Sequence, residues 1–328
     1  MRILLTYTPE MRRNYYGERA LAALRALGEV VLHEAASPLA GDALVAAARG
    51  AQIIVADRQT PGAALVFERS PNLVAFVRGA VDIRNVDVAA ASAGGVLVTR
   101  ASAGFVPAVT ELVLGFLVDL ARGVSSAAAH YHAGRVPPAA MGRQLAGSTL
   151  GVIGYGAIGR RVAAVGAALG MRVLVSDPHA RVTQAGLEQR ELAVVLAASD
   201  YVVCLAVANE QTENLMNDAA FMAMRPGACF VNVSRGNLVD EAALARALDS
   251  GHIAGAALDV GRDPDQMPTP ALARHEKVIA TPHVGGLTPQ AAEHQALETV
   301  AQVAEIVKGR APTGAVNIPQ ASRLERLA

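Results

Sequence analysis

The chain has 328 residues, 52% of them hydrophobic, which is enough to bury a large core and, as a soft prior, suggests two domains. Lys+Arg and Asp+Glu both number 29, so there is no net field to draw in nucleic acid or an anionic membrane, and neither partner is expected. The cysteines, Cys204 and Cys229, sit in apolar runs and read as small buried strand residues, not as a disulfide framework. The opening MRILLTYTPEMRR has too short an apolar core for a signal peptide. Glu111 and Asp119 break the most apolar long segment, which predicts a buried helix, not a spanning one, and a cytoplasmic location.

In chain order, RILLTY, VVLHE, AQIIVAD, LVAFVRG and GVLVTR read as strands, separated by Ala/Leu stretches such as GERALAALRALG and GDALVAAARG. Uniformly apolar strands alternating with helices predict a parallel sheet covered on both faces. A helical stretch over roughly 106–133 follows, then the polar, Pro-bearing GRVPPAAMGRQLAGS. The alternation restarts with TLGVIGY, RVLVSD, YVVCLAV, CFVNVS, GAALDV and VIATPH, and a last helix covers roughly 289–309. The expected fold class is α/β: two doubly wound parallel-sheet units, with ligands taken up beyond the carboxyl ends of the strands in a cleft.

One segment is more specific than the rest. In LGVIGYGAIGRRVAAVGAALGMRVLVSDP, Gly154, Gly156 and Gly159 make G-x-G-x-x-G between a strand and an amphipathic helix, and Asp177 ends the next strand. This is the context that the dinucleotide fingerprint requires. Gly154 allows the tight turn, Gly156 lets the backbone approach a pyrophosphate, and Gly159 lets the helix pack close to the strand. The pyrophosphate would sit at the positive helix N-terminus. Asp177 can accept hydrogen bonds from free ribose hydroxyls and would repel a 2′-phosphate, so NAD is the expected cofactor.

Arg235 in FVNVSRGNLVD follows a strand and can clamp a carboxylate and an adjacent carbonyl with its fork of donors. His283 in IATPHVGG follows the last strand and suits transfer of one proton near neutral pH. A dinucleotide turn, an Arg and a His at one sheet edge predict hydride transfer to or from a carbon bearing an alcohol or ketone. No metal site is expected.

These motifs, standing in order at family-like spacing over almost the whole chain, resemble the D-isomer-specific 2-hydroxyacid dehydrogenases. That family includes phosphoglycerate dehydrogenase, D-lactate dehydrogenase and the glyoxylate/hydroxypyruvate reductases. The resemblance implies a Rossmann-type NAD-binding domain over 99–289 and a flavodoxin-like substrate-binding domain from 1–98 plus 290–328. It also implies a homodimer formed largely through the cofactor domain. Arg235 would bind the substrate carboxylate and carbonyl, and His283 would be the acid/base. Asp259 would hold the nicotinamide amide, with Ser234 also at the cofactor. The segment Tyr155, Gly156, Ala157 and Ile158 would lie against the pyrophosphate.

Two departures from the family pattern stand out. D-V-F-x-x-E-P is replaced by Asp259-Val260-Gly261-Arg262-Asp263-Pro264, one residue shorter. Asp263 is therefore the expected carboxylate partner of His283, with Asp265 as the alternative. R-x-G-V-G-x-D-N is replaced by RGAVDIRN, residues 78–85, where Val81 and Asp82 are the expected substrate contacts. The Asp82 charge should repel an anion, and Arg78 or Arg84 is expected to offset it. The leading reading is an NAD-dependent 2-hydroxyacid dehydrogenase or 2-ketoacid reductase. Two other readings stay open: an NADP-dependent glyoxylate/hydroxypyruvate reductase, against which Asp177 argues, and a non-catalytic NAD-sensing binding protein on the same scaffold.

Overall fold

Five short strands, β1 (Arg2–Leu5), β2 (Glu29–Leu32), β3 (Ile53–Ala56), β4 (Ala75–Arg78) and β5 (Leu97–Arg100), form one wholly parallel sheet in the order β2-β1-β3-β4-β5. The computed structural model describes residues 1–327. Side chains alternate between two apolar layers: Ile3, Leu5, Ile53 and Val55 face one core, and Leu4, Ile54 and Phe76 face the other. Covering both faces is why successive positions inside these strands, such as Ile3, Leu4 and Leu5 or Ile53, Ile54 and Val55, are apolar without alternation. The helix Pro289–Ile306 belongs to this unit. Its Ala296, Val303 and Ile306 enter the first core, and Gln302 Nε2 donates to the carbonyls of Arg100 and Thr313. The unit comprises Met1–Gly104 and the segment from Pro289 onward. Strand β5 spans the 98/99 point where the domain boundary was expected and lies whole within this unit.

The second unit, Phe105–Thr288, carries β6 (Thr149–Ile153), β7 (Arg172–Ser176), β8 (Leu187–Gln189), β9 (Tyr201–Cys204), β10 (Ala228–Asn232), β11 (Ile253–Leu258) and β12 (Val278–Ala280). They form a parallel sheet in the order β12-β11-β10-β9-β6-β7-β8, with the strand order reversing between β6 and β9. Leu150, Val152 and Val203 face one core, and Ile153, Val202 and Cys204 face the other. Cys204 and Cys229 are both buried free thiols in β9 and β10, as their apolar surroundings predict. The architecture is the doubly wound pair expected from the strand pattern. Strand β8 has no counterpart in that expectation. It is a half-exposed edge strand whose Glu188 pairs with Arg172 and Arg190, so it lacks the apolar run that marks the others.

The helical stretch over 106–133 is two helices, Val106–Arg122 and Val124–His132, bent by 72°. The break is at Gly123, whose φ of 64° is left-handed. Its N–H donates to the Asp119 carbonyl, and the Asp119 carboxylate accepts the Ser125 N–H at 2.8 Å, so one acid ends the first helix and starts the second. Among the described residues, no single helix is long and apolar enough to cross a membrane.

Candidate active site

The second sheet brings its loops to one level. Ser176, Ile153, Cys204, Asn232, Leu258 and Ala280 are in register across β7, β6, β9, β10, β11 and β12. Asp177, Gly154 and Asp259 are each the next residue after that row, and Arg235 and His283 are the third. The carboxyl edge of one sheet therefore carries the phosphate turn, the acid that follows it, and both candidate catalytic side chains.

The phosphate turn has the geometry that its glycines predict. Gly154 has φ 96°, and a Cβ there would come within 2.6 Å of the Leu205 carbonyl. A Cβ on Gly159 would lie 2.1 Å from the Gly154 oxygen, whereas one on Gly156 would meet nothing within 4 Å. The first and third glycines are thus required by the protein itself, and the second leaves open backbone for a ligand. Gly156 and Ala157 are exposed at the start of the helix Ala157–Ala168, which has no side-chain cap, so its first amides suit an anion. Tyr155 is buried, with the Arg160 guanidinium 4.4 Å over its ring, and Ile158 packs on the core, so these two offer a ligand mainly backbone. The residues present fit a dinucleotide pyrophosphate.

Asp177 has a structural task as well. One carboxylate oxygen accepts the Tyr155 N–H at 2.7 Å, and the other accepts the N–H groups of His179 and Ala180 at 2.8 Å. Burial pushes its carboxyl up, but these three backbone donors outweigh that and hold it below the ordinary aspartate value. A carboxylate has about four lone-pair sites, so capacity remains for a ribose hydroxyl.

The Arg235 turn is braced from both sides. Asn232 Nδ2 donates to the Arg235 carbonyl at 3.0 Å and its Oδ1 accepts the Ser234 N–H at 3.1 Å. Ser234 Oγ donates to the Ala206 carbonyl at 2.8 Å, which ties this turn to the end of β9. Arg235 is half-buried and one guanidinium nitrogen donates to the Ser234 carbonyl at 2.7 Å. The turn then presses against the loop after β11, where a Cβ on Gly236 would lie 1.9 Å from the Gly261 oxygen.

Asp259, buried at 2% exposure, shapes the loop that bears His283. Its Oδ1 accepts Thr281 Oγ1 at 2.6 Å and the Val284 N–H at 2.8 Å, its Oδ2 accepts the Gly285 N–H at 2.8 Å, and its carbonyl accepts the His283 N–H at 2.9 Å. The side chain expected at the nicotinamide amide is thus largely committed within the protein. His283 is held at φ 54°, a left-handed conformation that disfavours a non-glycine residue by about 1–2 kcal/mol.

The expected partner of His283 is corrected. Its Nδ1 lies 2.7 Å from the main-chain carbonyl of Asp265, not against the carboxylate of Asp263 or Asp265. A carbonyl only accepts, so Nδ1 carries the proton and Nε2 is the nitrogen left for chemistry. Asp263 instead opens a short turn, Pro264–Gln266, and the main chain of that turn, not a carboxylate, meets the ring. Sequence reading also passed over Asn232, Thr281 and Gln266, whose contacts build the site. Only Asn232, a polar residue closing an apolar strand, carried a visible signal.

In the first unit, Val81 and Asp82 lie on the loop leaving β4. Arg84 pairs directly with Asp82: its Nε lies 3.0 Å from both carboxylate oxygens, and Asp82 Oδ1 also accepts the Arg84 N–H at 2.9 Å, while Arg78 feels the same charge through space. Arg78 is fully buried and donates to the carbonyls of Asp57 and Thr60 and to Asn85 Oδ1. Burial pushes its guanidinium down, partly countered by Asp57.

Residues 114–285 match the family model described as "D-isomer specific 2-hydroxyacid dehydrogenase, NAD binding domain". D-3-phosphoglycerate dehydrogenase 3 of Arabidopsis thaliana is 38% identical over 77% of this chain and 44% of that protein. The Escherichia coli D-3-phosphoglycerate dehydrogenase is 33% identical over 93% of this chain and 76% of its own length. The chain thus spans about half the length of the plant and mammalian relatives it matches. The solved structure of the TT0316 protein from Thermus thermophilus superimposes with a TM-score of 0.85 at 30% identity, covering 96% of this chain and 100% of that one. The fingerprint turn, the Arg235 turn and the His283 loop stand at the carboxyl edge of an NAD-binding domain, and the chain belongs to the D-isomer-specific 2-hydroxyacid dehydrogenase family.

Proposed function

We propose that this chain is an NAD-dependent D-2-hydroxyacid dehydrogenase or 2-ketoacid reductase. The observation that carries the reading is the level row at the carboxyl edge of the second sheet, with the phosphate turn at one part and Arg235 and His283 at another. When bound, the nicotinamide supplies or accepts a hydride at C2 of the acid. The backbone at Tyr155–Ile158 holds the pyrophosphate, and Asp177 receives the ribose hydroxyls. Arg235 binds the substrate carboxylate and polarises the C2 carbonyl through its planar fork. In reduction, His283 starts protonated on both ring nitrogens and gives the Nε2 proton to the forming alkoxide. In oxidation, the neutral ring takes that proton back. The Nδ1–H bond to the Asp265 carbonyl persists in both states, because that acceptor needs only the proton on Nδ1.

Val81 and Asp82 are proposed as substrate contacts from their own loop, with Arg84 setting the charge presented there. We further propose a homodimer. The helix Val124–His132 buries none of its residues, and Val124 and Tyr131 on it and Val136 and Met141 beyond it are exposed, an apolar run that a second copy would cover.

The test is a panel of glyoxylate, hydroxypyruvate, pyruvate, phenylpyruvate and 3-phosphohydroxypyruvate, assayed with NADH and NADPH. Turnover of at least one with NADH is expected. Arg235→Lys should lower kcat/KM for that substrate roughly tenfold or more, about 1.4 kcal/mol, and leave NADH binding intact. NADH binding with no turnover of any member would favour the sensing-protein reading.

A further inference from the structure

His283 owes its ring orientation to two consecutive residues in an unfavourable conformation. Asp265 has φ 58° and ψ 19°, and Gln266 has φ 61°. Left-handed backbone is uncommon outside glycine, asparagine and aspartate, and glutamine gains nothing from it locally. The turn is nevertheless closed on every side. Gln266 N–H donates to the Asp263 carbonyl at 3.0 Å, its own carbonyl accepts the Gly261 N–H at 2.8 Å, and Asp263 N–H donates to the Met267 carbonyl at 3.1 Å. Strain held by this many contacts has a product that can be named: the Asp265 carbonyl, aimed at His283 Nδ1 at 2.7 Å.

The same residue reaches the other half of the site. Gln266 Oε1 accepts the Gly236 N–H at 3.3 Å, and Gly236 is the residue directly after Arg235. Gln266 therefore touches the turn of the arginine with its side chain and sets the partner of the histidine with its backbone. The side chains of Asp263 and Asp265 do neither. We propose that Gln266 is the positioning residue of the Arg235–His283 pair, fixing the histidine tautomer through the left-handed turn and the seat of the arginine through its amide. In this chain a backbone carbonyl and a neutral amide replace the carboxylate expected beside the histidine. The inference rests on the roles given above to Arg235 and His283, but half of its test needs no turnover.

The test uses the full-length enzyme labelled with ¹⁵N-histidine, with the His283 signals assigned by their loss in His283→Gln. In the wild type at high pH, long-range ¹H–¹⁵N spectra should show His283 protonated on Nδ1 and bare on Nε2. Gln266→Gly tolerates the left-handed backbone but has no amide. It should keep that signature while KM for glyoxylate, pyruvate or phenylpyruvate rises several-fold more than kcat falls. Gln266→Glu restores an acceptor at the same reach and should bring KM back toward wild type. Gln266→Val, β-branched and averse to positive φ, should lose the Nδ1–H signature. An unchanged tautomer in folded Gln266→Val, or a wild-type His283 protonated on Nε2 and bare on Nδ1 at high pH, would overturn the histidine half. Wild-type KM and kcat in Gln266→Gly would overturn the arginine half, whether or not the valine variant folds. If the tautomer follows these expectations while even the wild type turns over no 2-ketoacid, the histidine half stands and the dehydrogenase reading fails.

Discussion

The phosphate turn at 154–159 and the loop at 78–85 both leave the carboxyl end of a parallel strand, and both are proposed above to meet an anion. They are built on opposite principles. In the phosphate turn two of the three glycines are demanded by backbone geometry, through a positive φ at Gly154, contact with the Leu205 carbonyl, and contact between Gly159 and the Gly154 oxygen, and the third, Gly156, leaves its backbone open to a ligand. In the second loop two glycines of the family pattern are gone. Ala80 and Asp82 stand in their place, and an exposed Arg84 neutralises the added charge. A site made by backbone tolerates no side chain, so its chemistry is general to all dinucleotides. A site made by side chains can be rewritten, and this loop carries two of the departures from the family pattern noted above.

The sharpest way to break this comparison is to put a side chain into the backbone-made site. Gly154→Ala forces a Cβ against Leu205 and a strained φ, which alone disfavours the turn by about 1–3 kcal/mol. NADH affinity should fall on the order of a hundredfold, at about 1.4 kcal/mol per factor of ten. Fluorescence titration with NADH measures it. Affinity within about twofold of wild type would show that the turn does not hold the cofactor.

The next effect tests the acid beside that turn. Asp177 should favour NADH over NADPH at least roughly tenfold in kcat/KM, because a 2′-phosphate would face like charge. Folding lowers the Asp177 value, so its charge is present above the ordinary aspartate range and is lost only as pH falls below it. The preference should therefore hold steady between about pH 7 and 8, above the range near pH 6 where a 2′-phosphate itself titrates. Equal efficiency with the two cofactors, or a preference that fades across that window, would remove Asp177 from the role.

The side-chain-made loop should respond more gently. Arg84→Ala leaves Asp82 without its guanidinium. An exposed ion pair is worth up to about 1 kcal/mol, so losing this one should raise KM for a 2-ketoacid by up to roughly fivefold with kcat little changed. Adding Asp82→Gly should bring KM back down. If the double variant is no better than the single one, the pair serves the loop fold and not the substrate.

These regions also differ in how far they could be read from residue types. The strands, the fingerprint and the strand-end Arg235 and His283 are legible, because burial on both sheet faces and the demand for glycine each leave a compositional mark. The break at Gly123 was hidden because good helix formers continue on either side of it, and edge strand β8 by its charges. The partner of His283 was illegible for a stronger reason. A main-chain carbonyl has no residue type, and nothing in Asp-Gln announces two successive left-handed residues. Of the three nearby carboxylates Asp259, Asp263 and Asp265, chemical reasoning gave the first to the cofactor and the second to the histidine, with the third as alternative. The fold uses the carboxylate of the first to shape the loop, the carbonyl of the third to hold the ring, and the carboxylate of the second for neither.

That last assignment yields the smallest expected effect. Had Asp263 paired with the imidazole, Asp263→Asn would remove a neighbouring negative charge and lower the pH above which reduction fails. In the structure His283 Nδ1 bonds the Asp265 carbonyl, and Asp263 contributes its backbone to the turn through the Gln266 and Met267 bonds. Asparagine preserves that backbone role and suits the start of a turn equally well. Asp263→Asn should therefore keep kcat within about twofold, a change under roughly 0.5 kcal/mol, and leave the pH–rate profile of ketoacid reduction in place. The profile is measured with NADH saturating at each pH, so that changes in cofactor affinity do not enter. A profile displaced to lower pH, together with a fall in kcat, would mean that in the working enzyme the carboxylate swings onto the ring and the carbonyl contact belongs to a resting state.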